Sequence, residues 1–127
     1  MSSARVILCV DDDATGLTVR RLLLSIAGYK VLTATSAKNA LQLLGCNDVD
    51  LVITDHFSSD VAGFEIVTEV KRLKPRVPVL LLTGLTEQPS GSEQADVLLG
   101  KGIMPEEFLS EIARLLSRPP LADAKSA

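Results

Sequence analysis

Two short apolar runs in this chain end abruptly on carboxylates. Val6-Ile7-Leu8-Cys9-Val10 leads into Asp11-Asp12-Asp13, and Leu51-Val52-Ile53-Thr54 leads into Asp55. Runs of this length, aliphatic throughout and without polar alternation, have the pattern of strands buried on both faces of a parallel sheet. Parallel strands all point the same way, so their carboxyl ends share one edge. If the two runs are neighbours, Asp11, Asp12 and Asp55 converge there. Two carboxylates about 5 Å apart repel by roughly 1–3 kcal/mol. Such a cluster is tolerated only with a cation, a lysine or protonation of one member, and a divalent metal is the expected occupant.

The rest of the chain alternates between strand and helix patterns. A first strand over about Arg5–Val10 precedes a helix over Ala14–Ala27, with Val19, Leu22, Leu23 and Ile26 on one face and Gly28 as its stop. Tyr29–Thr33 reads as a weaker strand. Ser36 caps a helix carrying Ala37, Ala40, Leu41 and Leu44, ended by Gly45. A third strand spans Asp50–Thr54. The following helix, Gly63–Leu73, turns Ile66, Val67, Val70 and Leu73 inward and is stopped by Pro75. Val77–Leu82 forms a fourth strand, and Val97–Leu99 a brief fifth. The turn-rich Thr86–Ser92 stretch between them predicts a short or irregular fourth helix. Pro105–Ser117 is an amphipathic helix with proline in its first turn.

Five βα units predict a doubly wound α/β fold: a five-stranded parallel sheet with helices on both faces. At 127 residues the chain makes one domain. Residues 1–117 form it, and the proline-interrupted 118–127 is expected to be a flexible tail. A net charge of −3 gives no electrostatic reason to expect nucleic acid. No segment has the roughly 20 apolar residues of a membrane span, and the first apolar run is too short for a signal peptide. The expected location is cytoplasmic, without membrane insertion. Cys9 reads as a buried small hydrophobe and Cys46 as a loop thiol.

Open α/β sheets bind ligands beyond the carboxyl ends of their strands. The residues that end the apolar runs are Asp11 and Asp12, then Asp55, then Thr83, with Lys101 two residues after the fifth. Each has an ordinary explanation alone: an aspartate there often caps a helix, Thr83 before Gly84 starts a turn, and lysine is usually a solvated charge. Together they make a coherent set. Carboxylates hold octahedral Mg²⁺ through oxygen, Lys101 balances residual charge, and Thr83 donates to an anionic oxygen.

With these residues in place, the chain resembles the receiver domain of bacterial two-component response regulators over about Arg5 to Ser117. The motifs that carry the likeness are Ile7–Asp13, Asp50–Asp55, Gly63, Val79–Gly84 and Ala95–Lys101. The resemblance implies a strand order of 2-1-3-4-5. It implies that Asp55 accepts a phosphoryl group, and that Asp12, Asp55 and the Phe57 carbonyl hold Mg²⁺ with Asp11 acting mainly through water. Lys101 would pair with Asp55 or its phosphate, and Thr83 would bond a phosphoryl oxygen. Phosphoryl donors would be a sensor histidine kinase or a phosphotransfer protein, and the output a contact with a downstream protein that the sequence does not name.

Four positions depart from the family pattern. After Asp55 the family usually has a Met-Pro pair before Asp-Gly, where the run here is His56-Phe57-Ser58-Ser59-Asp60-Val61-Ala62-Gly63, and Gly102 replaces the proline after the lysine. Leu98 stands where an aromatic residue normally reports threonine engagement, and the stretch from Thr83 to Lys101 is short. His56 itself reads as a solvated loop residue. The preferred reading is a stand-alone receiver, a signalling phosphoacceptor with at most slow autodephosphorylation. Two others stay open. One is a degenerate receiver that binds a partner without phosphorylation. The other is a haloacid-dehalogenase-type phosphatase, because Asp11-Asp12-Asp13-Ala14-Thr15 matches its D-x-D-x-T motif. That family needs a further acidic metal-binding pair, for which the downstream acids are Glu106, Glu107, Glu111 and Asp123.

Overall fold

The computed structural model describes residues 4–55, 63–83 and 95–117. In chain order the elements are β1 (Val6–Val10), α1 (Ala14–Ile26), β2 (Lys30–Ala34), α2 (Ala37–Cys46), β3 (Leu51–Asp55), α3 (Gly63–Leu73), β4 (Val79–Thr83), β5 (Val97–Gly100) and α4 (Pro105–Ser117). The strands form one parallel sheet in the order β2-β1-β3-β4-β5. The apolar runs of β3 and β4 are buried throughout, and β1 is buried after its first residue. The two edge strands, β2 and β5, are more exposed.

Side chains alternate across the sheet with the period of two that strands impose. Ile7, Cys9, Leu51, Ile53, Leu80 and Leu82 pack under α1 and α4, against Leu17, Leu24, Phe108 and Ile112. Leu8, Val10, Val52, Val79 and Leu81 face α2 and α3, against Ala40, Leu44, Ile66 and Val70. Helices therefore cover both faces, as the alternation of elements required.

Two aspartates lock the amino ends of the strands. Asp50, just before β3, accepts from the Val6 N–H at 2.8 Å while its own N–H donates to the Val6 carbonyl at 2.8 Å. Asp96, just before β5, repeats the arrangement with Val79: its carboxylate accepts the Val79 N–H at 2.8 Å, and its N–H donates to the Val79 carbonyl at 2.9 Å. Lys71 of α3 adds an ion pair to Asp96 at 2.6 Å. Edge strand β5 is thereby tied into register.

Helix ends follow local chemistry. Asp13 caps α1 by accepting from the Thr15 N–H at 3.2 Å, and Ser36 caps α2 by accepting from the Asn39 N–H at 3.2 Å. Gly28 ends α1 with φ of 102°, a left-handed conformation that favours glycine. The expected stop at Gly45 is one residue early, because α2 runs through Cys46. The Asn47 amide then donates to the Leu43 carbonyl at 2.9 Å and satisfies the last turn.

The face of α1 differs from the sequence reading. Leu17 and Leu24 are buried, whereas Val19, Leu22 and Ile26 are exposed at 60, 52 and 84%. The row that meets the sheet is Leu17, Arg20 and Leu24, so a charged residue occupies its middle. Of the four apolar residues expected inward, Leu23 alone packs against the core, half-buried. In α3, Ile66, Val67 and Val70 are buried as expected, but Leu73 at the final turn is exposed. The irregular fourth helix expected after β4 falls mostly in 84–94, and the tail in 118–127; both lie outside the described residues.

This packing has a direct test in urea denaturation. Leu24→Ala is expected to cost about 2–5 kcal/mol as a core truncation. Leu22→Ala and Ile26→Ala should each stay within about 0.5 kcal/mol of the parent. The reverse order would place the other stripe inward.

Candidate functional site

The register of β1 against β3 builds the site. Val10 lies opposite Thr54, so Asp11 and Asp55 leave the carboxyl edge of the sheet from adjacent strands. Asp12 follows directly. One carboxylate oxygen from each of Asp11, Asp12 and Asp55 lies within 4.8 Å of the other two. The convergence expected from the sequence is therefore present. Asp11 and Asp55 are buried, and Asp12 is exposed to solvent.

Lys101 arrives from the other side. Gly100 pairs with Thr83 across β5 and β4, and the Lys101 N–H donates to the Thr83 carbonyl at 2.8 Å, carrying the ladder one residue past the strand. From there the ammonium reaches Asp55 Oδ2 at 2.8 Å. The Lys101–Gly102 peptide is trans, so glycine after the lysine does not keep the pair apart. Thr83 is buried at the end of β4, on the same edge. Leu98 is half-buried in β5 and packs with the core on the α2 and α3 side. Phe57 and His56 lie outside the described residues.

The second oxygen of Asp55 is the telling atom. Oδ1 is buried and has no hydrogen-bond partner among the described residues. A buried carboxylate oxygen left unsatisfied costs about 1–3 kcal/mol or more, and native structures leave few such atoms. An unsatisfied oxygen beside two further carboxylates suits a hard cation with oxygen ligands, and Mg²⁺ with water in its remaining positions fits that donor set.

Sequence reasoning missed one member. Arg20 extends from α1 and pairs through Nη2 with Asp11 Oδ2, with its side chain only 17% exposed. Asp11 Oδ1 accepts from the Asp13 N–H at 2.9 Å. The available signal was positional: Arg20 lies three residues after Leu17 and four before Leu24, on the row that faces the sheet. Beneath it, burial pushes the Cys9 thiol up to about 12, with Arg20 pulling the other way and Asp11 adding to the rise.

The acids lie where strand order reverses, between β1 and β3, the ligand-binding crevice of doubly wound sheets. The fold and site define a parallel α/β module with an acidic edge whose three carboxylates are close enough to share one cation. The model of the response regulator receiver domain matches residues 7–112, and the chain belongs to that family, the receiver domains of two-component signal transduction. Response regulator SaeR of Staphylococcus aureus is 34% identical over 116 residues, covering 88% of this chain and 50% of its own. The chain thus spans about half the length of the curated relatives it matches. Among solved structures, a CheY-like receiver domain protein from Methanospirillum hungatei aligns with a TM-score of 0.84 and 27% identity, covering 90% of this chain and 94% of that one. Response regulator TrrA of Thermotoga maritima, solved in complex with Mg²⁺ and BeF, aligns at 0.82 and 26% identity over 87% of this chain and 98% of that one. Receiver domains of this family are phosphorylated on aspartate by histidine kinases and bind Mg²⁺ at an acidic pocket. Among the described residues no helix is long and apolar enough to cross a membrane.

The two thiols should separate cleanly. Cys46 is exposed and Cys9 buried, so a disulfide reagent at pH 8 should modify one thiol in the native protein and two after denaturation. Cys46→Ser should remove the native reaction. Rapid native labelling of Cys9 would contradict its burial.

Proposed function

We propose that Asp55 is the phosphoryl acceptor of a receiver module that takes phosphate from a sensor histidine kinase or phosphotransfer protein. The observation that carries this reading is the state of its carboxylate: one oxygen held by Lys101, the other buried without a partner among the described residues, in a group with Asp11 and Asp12. A carboxylate is ionised near neutral pH, so it attacks without a general base. An Asp55 oxygen forms the new bond to phosphorus as the bond from phosphorus to the donor imidazole nitrogen breaks. The nitrogen keeps the bonding pair, and an aspartyl phosphate results.

Asp12 and Asp55, with the Phe57 carbonyl, would hold Mg²⁺, and Asp11 would contribute through water. When bound there, Mg²⁺ supplies neutralisation of charge on the phosphoryl oxygens. Lys101 stabilises the same developing charge and pairs with the product phosphate. Thr83, buried at the end of the adjacent strand, would donate to a phosphoryl oxygen. Signalling would then pass by protein contact, to which a net charge of −3 is better suited than to nucleic acid.

Two observations weigh among the alternatives. Lys101 reaches Asp55 although Gly102 replaces proline, which favours a competent acceptor over a phosphorylation-independent module. Glu106, Glu107 and Glu111 lie on α4 and are not part of the acidic group, which counts against a dehalogenase-type phosphatase. Incubation with acetyl phosphate and Mg²⁺ should add one phosphate to the intact protein by mass spectrometry, and Asp55→Asn should abolish the gain. Equal labelling of the variant would remove Asp55 from the role.

A further inference from the structure

The receiver reading uses Asp11, Asp12, Asp55, Thr83 and Lys101, and leaves Arg20 without a task. Its position is unusual on physical grounds. Arg20 stands on the row of α1 that packs against the sheet, where Leu17 and Leu24 are its buried neighbours. A buried ion pair is costly to desolvate, and an apolar residue often serves packing as well or better.

We propose that Arg20 is a built-in counter-cation that occupies Asp11 and lowers the affinity of the acidic site for Mg²⁺. The inference rests on the reading of Asp11, Asp12 and Asp55 as a metal site. Both oxygens of Asp11 are already engaged, Oδ2 by Arg20 and Oδ1 by the Asp13 N–H. Three carboxylates facing Lys101 alone would carry two net negative charges. With Arg20 added, they carry one. A guanidinium remains protonated at any physiological pH, so this neutralisation is permanent. A divalent ion entering the site meets a field weakened by half in net charge, and an Asp11 shared with an arginine. Arg20 is thus a positioning and charge-setting residue, acting through Asp11.

The test is calorimetric titration of the full chain with Mg²⁺ alone, on the parent, Arg20→Gln and Arg20→Lys. Arg20→Gln should bind about tenfold tighter, because a unit positive charge close to the ion has been removed. Arg20→Lys keeps the charge and should bind like the parent. Unchanged or weaker binding by Arg20→Gln would overturn the proposal, as would Arg20→Lys binding as tightly as Arg20→Gln. Thermal unfolding across a Mg²⁺ series covers the case where Arg20→Gln is unstable without metal. A larger Mg²⁺-dependent rise in Tm than the parent shows supports the proposal. Failure of Mg²⁺ to restore folding overturns it. Parent binding that disappears in Asp12→Asn locates the ion. No saturable binding by the parent would instead overturn the underlying metal-site reading, and the inference with it.

Discussion

Concentrated negative charge at one edge of the sheet is the constraint around which this molecule is arranged. Parallel pairing of β1 with β3 leaves Asp11 and Asp55 on adjacent strands with Asp12 beside them. Carboxylates this close, two of them removed from water, need positive charge within reach. The fold supplies it from two directions. Lys101 comes from beyond β5 to Asp55, and Arg20 comes down from α1 to Asp11. Among the buried side-chain atoms of the described residues, Asp55 Oδ1 alone is left without a hydrogen-bond partner.

The same residue type does opposite work at the two ends of the sheet. At the amino ends of parallel strands the free main-chain groups include N–H donors, and Asp50 and Asp96 accept from Val6 and Val79 there. Those carboxylates are structural. At the carboxyl edge the main chain ends in carbonyls, which offer a carboxylate nothing. Asp11 finds one N–H, from Asp13 at the start of α1. Asp55 finds an ammonium and no main-chain donor among the described residues. Asp55 at that edge is therefore available for a cation or for chemistry, because no main-chain donor among the described residues has consumed it.

Much of this was legible from sequence because it depends on local rules. Continuous aliphatic runs marked β1 and β3 as strands buried on both faces, and the residues ending the apolar runs named the site. The cap at Ser36 and the stop at Gly28 follow from local chemistry within a few residues. The errors came where a distant partner mattered. Val19, Leu22 and Ile26 keep helical spacing yet face solvent, because the true inward row tolerates Arg20 once Asp11 is opposite. Gly45 looked like a stop, but the Asn47 side chain sets the end of α2.

By itself the sequence determined the order of elements, the two strands buried on both faces, and which carboxylates, hydroxyl and ammonium end the strands. Strand order came with family resemblance, and the hydrogen-bonded register then gave it form. Tertiary structure alone decided that Lys101 reaches Asp55 with glycine after it, and that an arginine from the first helix belongs to the acidic site. The reason is physical. Periodicity and capping are written in residues a few positions apart, whereas the pairing of a charge depends on what another element places opposite it.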